Sequence, residues 1–159
     1  MRRNRPAWTA AGVETLRWIA DRQTASEGHF RPVGSETFGK PHAQLPFDQQ
    51  PLEALAAIDA ARAAYTATGD ESWIRHALTA YRWYFGANDR GVVLADIMNG
   101  HCRDGVTPRG ANENRGAESI LAFQLAHYAV MELNRSGVPD AGQEDDAGAS
   151  EVPQPTALA

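Results

Sequence analysis

The sequence predicts an all-α fold assembled from helical hairpin repeats. Three observations carry this prediction. Four segments place apolar residues at helical spacing, sustained period-2 alternation is nearly absent, and the chain is approximately self-similar at an offset of 65 residues. At 159 residues with 43% hydrophobic side chains, the length suits one ordinary domain with enough apolar material for a core.

The first predicted helix covers about 7–23, with Trp8, Ala11, Leu16 and Ile19 on one stripe. The second begins near Gln50-Pro51 and reaches Thr68. Pro51 suits a first turn, where its missing N–H costs nothing, and Asp48 or Gln49 could cap it. Gly69 ends this helix. The third covers about 70–85, with Trp73, Ala77, Ala80, Tyr81 and Tyr84 on one face, and Gly86 stops it. The fourth, about 116–135, is apolar on most of its circumference. Only Gly91 to Leu94 alternates as a strand would. Two long polar stretches, about 24–47 and 87–115, separate the helices and run into helix N-termini. From Ser136 onward the chain is Ala, Gly, Pro, Ser and acid, and is expected to be disordered.

The repeat pairs Arg17-Trp18 with Arg82-Trp83, Glu53 with Glu118, Leu55 with Ile120 and Ile58 with Phe123. Each unit is then an amphipathic helix, a long polar loop, and a helix rich in small apolar residues. The first helix of each unit is expected to lie outside and the second inside, packed on both sides. The inner helices would start at one common end. Their free N–H groups and positive dipole ends would share one surface with the polar loops.

Charge and cysteine content narrow the function classes. The chain has 15 basic and 20 acidic residues. Five of the acids, Asp140, Glu144, Asp145, Asp146 and Glu151, follow the last basic residue, Arg135, so the body is neutral. A neutral body argues against a nucleic-acid surface. No apolar run approaches the roughly 18 residues of a membrane span, and no apolar segment follows the basic start, so a cytoplasmic location is expected. Cys102 is the single cysteine. It can make no internal disulfide, and it reads as packing rather than nucleophile. His101-Cys102 with His29 or His42 could form a metal site, but the spacing matches no ligand pattern, so neither metal nor cofactor is expected.

Chemistry-bearing residues cluster in Phe47-Asp48-Gln49-Gln50-Pro51-Leu52-Glu53, in Gly100-His101-Cys102-Arg103-Asp104-Gly105, and in Asn112-Glu113-Asn114-Arg115-Gly116-Ala117-Glu118-Ser119. Carboxylates and carboxamides pair with sugar hydroxyls, and aromatic faces cover the C–H face of a pyranose. Glycoside chemistry needs two carboxyls flanking the bond, for which Asp48, Asp104, Glu113 and Glu118 are candidates. Each has a structural reading beside it. Asp48 could cap a helix, and Glu53 and Glu118 could favour helix dipoles. Asn112, Asn114 and Asp104-Gly105 could shape turns. Trp18, Trp73 and Trp83 are core residues by default. His29 and His101, in loops beside Gly, are least explained by structure.

These clusters, with Gly28-His29-Phe30-Arg31-Pro32-Val33-Gly34 and Trp83-Tyr84-Phe85-Gly86-Ala87-Asn88-Asp89, resemble a bacterial family over about 8–133, in the family's order. It is the helical domain C-terminal to some bacterial glycosyltransferases, related to the six-hairpin glycosidase-like toroids. The resemblance implies part of an (α/α)6 toroid, a carbohydrate ligand, and a site at the inner-helix N-termini. It implies a binding surface at Phe47, Asp48, Gln49, Gln50, Arg103, Asp104, Asn112, Asn114 and Glu118, and supplies no catalytic assignment. Six hairpins at this repeat length would need about 390 residues, and no Gly-rich nucleotide loop is present. The chain is therefore expected to match only the C-terminal part: a free-standing or degraded piece, or one part of an assembly. Its two hairpins would expose apolar helix faces that seek a partner.

The leading expectation is a carbohydrate-active domain that binds or processes a saccharide. Asp48, Asp104 and Glu118 would be the carboxylates acting at a glycosidic bond, and His29, Phe47, Gln49, Gln50, His101, Arg103, Asn112 and Asn114 would hold substrate. The alternative is a non-enzymatic helical module docking to a glycosyltransferase or to its missing hairpins. A third reading is a metal-dependent domain using His29, His101 and Cys102.

Overall fold

The computed structural model describes residues 5–34 and 47–137. The basic residues 1–4, His42 and the acidic tail beyond 137 lie outside the described residues. The elements in order are α1 (Pro6–Arg22), α2 (Pro51–Thr68), α3 (Ser72–Arg82), β1 (Ala95–Asp96), β2 (His101–Cys102), β3 (Val106–Thr107), β4 (Gly110–Ala111) and α4 (Ala117–Gly137).

The fold is mixed α/β, which corrects the all-α toroid expected from the repeat. The stretch 87–115 is not an open loop. It folds into two antiparallel pairs, β1 with β2 (Ala95 opposite Cys102) and β3 with β4 (Val106 opposite Ala111). The pairs satisfy backbone groups of a segment that buries Leu94, Ala95, Cys102 and Val106. Strands two residues long carry no alternation, so no periodic signal announces them.

Helix ends follow local chemistry. Pro51 opens α2, and the Gln50 N–H donates to Glu53 Oε2 at 3.0 Å, so Gln50 rather than Asp48 stands at the cap. Gly69 closes α2 at φ 70°, its N–H donating to Tyr65 O at 2.8 Å. α3 stops at Arg82 rather than near residue 85. Its last turn tightens to i→i+3 bonds, with Tyr84 N donating to Tyr81 O and Phe85 N to Arg82 O.

The core lies between α2, α3 and α4, built from Ala54, Ile58, Ala61, Ala77, Ala80, Tyr84, Phe123 and Ala126. Small residues let these helices approach closely. The larger rings fill the space between them, and the Tyr84 hydroxyl donates to Pro51 O, at the start of α2, at 2.7 Å. α1 differs from this plan. It buries no residue and touches α2 over a small area. Trp73 and Trp83 are core residues as expected, but Trp18 is 58% exposed and Trp8 70%. Trp18 and its repeat counterpart Trp83 thus have opposite packing. α4 also keeps an outward apolar stripe of Leu121, Leu125, Tyr128 and Met131. No described helix is long and apolar enough to cross a membrane.

Candidate functional site

The loop before α2 and the strand segment before α4 meet through paired backbone bonds. Gln49 N donates to Val106 O at 3.0 Å, and Val106 N to Gln49 O at 2.9 Å. Gly105 makes this approach possible. It sits at φ 149°, and a Cβ there would lie 2.1 Å from Gln49 O.

Beside this junction opens a cleft of about 730 Å³. Asp48, Asn112 and Glu113, from two clusters distant in sequence, line it with Thr107, Pro108, Arg109 and Ala111. Asp48 is half-buried, and among the described residues its carboxylate has no hydrogen-bond partner. Asn112 Oδ1 accepts the Asn114 N–H at 3.0 Å, an Asx turn that leaves its NH2 group for the cleft. Thr107 Oγ1 donates to Gly110 O at 3.0 Å. Glu113 accepts from Arg103 and is largely exposed. The cleft wall thus offers an acceptor at Asp48 and donors at Asn112 and Arg109.

A second pocket, of about 280 Å³, lies against β1 and β2 and is lined by Asp96, Asn99, His101, Arg103 and Arg115 among others. Arg103 therefore lines one pocket while its partner Glu113 lines the other.

The remaining expected site residues have other duties. Asp104 Oδ1 accepts the Gly116 N–H at 2.6 Å, and the Asp104 N–H donates to Asn114 O at 2.9 Å. That carboxylate holds the start of α4. Glu118 is exposed in the first turn of α4 and does not line the cleft. Asp104 and Glu118 are not among the residues lining the cleft that holds Asp48. Phe47 is buried in the core with the Arg90 guanidinium over its ring, so no face is open to a sugar. Gln49 is fully buried with both ends of its amide engaged. Gln50 is the exposed cap residue of α2.

His29 belongs to a buried network centred on Asp89, a residue that sequence reasoning did not single out. The Asp89 side chain is only 2% exposed. It accepts from His29 Nε2 at 2.8 Å, from Arg31 Nε and Nη2 at 2.8 and 2.6 Å, and from Gln49 Nε2 at 2.6 Å. Gln49 Oε1 in turn accepts the Trp83 indole N–H at 3.0 Å. Burial alone would raise the Asp89 carboxyl, but hydrogen bonds from Arg31, then His29 and Gln49, hold it below the usual carboxylate range. The network joins the segment after α1 to the loop before α2 and the turn after α3, so it fixes the floor behind Asp48. Glu53, half-buried next to Gln50, is pushed up to about 7 by desolvation, which its one backbone bond only partly offsets.

Cys102 is buried, and burial pushes its thiol up to about 12. That fits packing rather than nucleophilic chemistry. His101 is exposed on the opposite face of β2, and His29 is bound to Asp89. The His29–His101–Cys102 reading therefore finds no common centre, and among the described residues no three candidate ligands converge on a point.

Comparison with protein-family models, with curated proteins and with solved structures returns no match.

Proposed function

We propose that the cleft between the Asp48 loop and the β3–β4 hairpin binds a saccharide. The observation that carries this reading is the half-buried Asp48 carboxylate, unpartnered among the described residues, facing the same cleft as Asn112 and Arg109. Sugars are recognised by such mixed acceptors and donors, and Pro108 and Ala111 supply apolar surface for C–H groups. The sequence resemblance to a glycosyltransferase-associated domain supports the same ligand class. Binding fits better than hydrolysis, because Asp104 is engaged at the start of α4 and Glu118 stands outside the cleft. A glycan array followed by calorimetry on the retained glycan tests this. Asp48→Asn is expected to weaken binding about tenfold, the worth of a charge-assisted hydrogen bond. Unchanged affinity in that variant would exclude the cleft as the site.

A second reading, docking to a glycosyltransferase or to further hairpins, is favoured by the apolar surface that α1 and α4 leave exposed at Trp8, Trp18, Leu121 and Tyr128. No glycan retained on the array, with a partner bound through these helices, would select it.

A further inference from the structure

We infer that the smaller pocket against β1 and β2 is a phosphate site, taking inorganic phosphate or the phosphate group of a phosphorylated sugar. The pocket, of about 280 Å³, has room for a group several times the roughly 30 Å³ of one water. Arg103, Arg115 and His101 line it together. Among the described residues Arg115 has no carboxylate partner. Its Nη1 lies 3.4 Å from His101 Nδ1, so a cation faces an imidazole rather than an acid. Arg103 is 28% exposed, and its single acid, Glu113, is 82% exposed. An ion pair that open to water is weakly held, and an incoming anion can compete for the guanidinium.

The one carboxylate lining the pocket, Asp96, stands opposite His101 in the β1–β2 pair and has both oxygens engaged by its own turn. Asp96 Oδ1 accepts the Met98 N–H at 2.9 Å, and Oδ2 accepts Asn99 Nδ2 at 2.6 Å. Asn99 Oδ1 accepts the His101 N–H at 2.9 Å, which holds His101 at the pocket edge. Two guanidinium forks and an imidazole thus line the pocket against one carboxylate that is already engaged, while the acid paired with Arg103 lies outside it. Planar guanidinium forks match the spacing of phosphate oxygens, which is why phosphate rather than a neutral polyol fits here. The larger cleft, with the carboxylates Asp48 and Glu113 on its wall, has the opposite character. The phosphate site stands on these contacts alone and does not depend on the saccharide reading.

The test is a titration of the full chain with sodium phosphate at constant ionic strength, followed by heteronuclear NMR. Saturable shifts are expected in the amides of 94–103 and the His101 ring. Arg115→Gln is expected to weaken the dissociation constant about tenfold. Arg75→Gln, which changes an exposed α3 cation outside the pocket, is expected to leave it unchanged. A hexose phosphate that binds more tightly than inorganic phosphate assigns the group to a sugar; equal binding assigns it to the free ion. Shifts that do not saturate, or that chloride reproduces, overturn the site, as does equal weakening by Arg75→Gln. Neutral glycan binding at the Asp48 cleft is expected to survive Arg115→Gln, so failure of one site is distinguishable from failure of the other.

Discussion

At the scale of single residues, Asp89 shows how a carboxylate can be buried without a ligand to bind. Arg31, His29 and Gln49 direct N–H groups at its two oxygens, and the charge is compensated where it sits. Removing that charge leaves the Arg31 guanidinium, only 24% exposed, with only the exposed Glu27 at 3.9 Å. Asp89→Asn is expected to cost about 3 kcal/mol at pH 7, measured by urea unfolding. The pH dependence has a definite sign. The folded carboxyl is held below its unfolded value of about 3.9, so its contribution is present above that pH and is lost as pH falls through the folded value. The stability gap between wild type and Asp89→Asn should therefore narrow below about pH 4. A gap that stays constant down to pH 2–3, where most carboxyls are protonated, would mean that the charge is not what the network holds. Nothing in the one-dimensional pattern marks Asp89 as buried, because its partners come from two other segments, 29–31 and the loop before α2. Gln49 was legible as a member of a polar cluster, but not as the amide linking Asp89 to Trp83.

At the scale of elements, the approach of the loop before α2 to the β3–β4 hairpin decides whether the Asp48 cleft exists. Gly105 carries both a backbone angle and a close contact that only glycine tolerates. Gly105→Ala must push Gln49 away and open the paired bonds to Val106. The expected loss is about 3 kcal/mol of stability together with glycan binding at the cleft. Near-wild-type melting of this variant would show that the junction is softer than the packing implies. The helices themselves were readable in advance. Pro51, Gly69 and the Trp73–Ala77–Ala80 stripe mark α2 and α3, because caps and periodicity act within a few residues. The end of α3 was misplaced because a tightening last turn keeps the same apolar spacing. The strand pairs are not legible because each is a local hairpin with strands only two residues long, too short to show alternation. Of the site, Asp48, Asn112 and Glu113 were found from residue type alone. Asp104 was of the right type but was drawn into holding α4. Arg109 and Arg115 lie beside and within these clusters, and what singles them out is their place in the two pockets, which only three dimensions reveal.

At the scale of the whole molecule, apolar surface is distributed unevenly. The α2–α3–α4 core is closed by small residues and aromatic rings, while α1 rests on α2 by a narrow contact and presents two indoles to water. On α4, Leu121, Leu125, Tyr128 and Met131 fall at intervals of three and four residues, so they form one stripe rather than scattered exposures. On the docking reading proposed above, this exposed stripe and the exposed tryptophans are contact surface. The chain is therefore expected to associate as concentration rises, with itself or with a helical partner. Sedimentation velocity of the full chain should show a mass that increases with concentration. Leu121→Glu with Leu125→Glu should return it toward the monomer, because each buried Leu contributes about 1.5–3 kcal/mol to such a contact and a carboxylate there would be left unpaired. Both positions are exposed in the folded chain, so the same double variant should keep its melting temperature within a few degrees. A monomer at every concentration for both proteins would show that these faces are solvated surface.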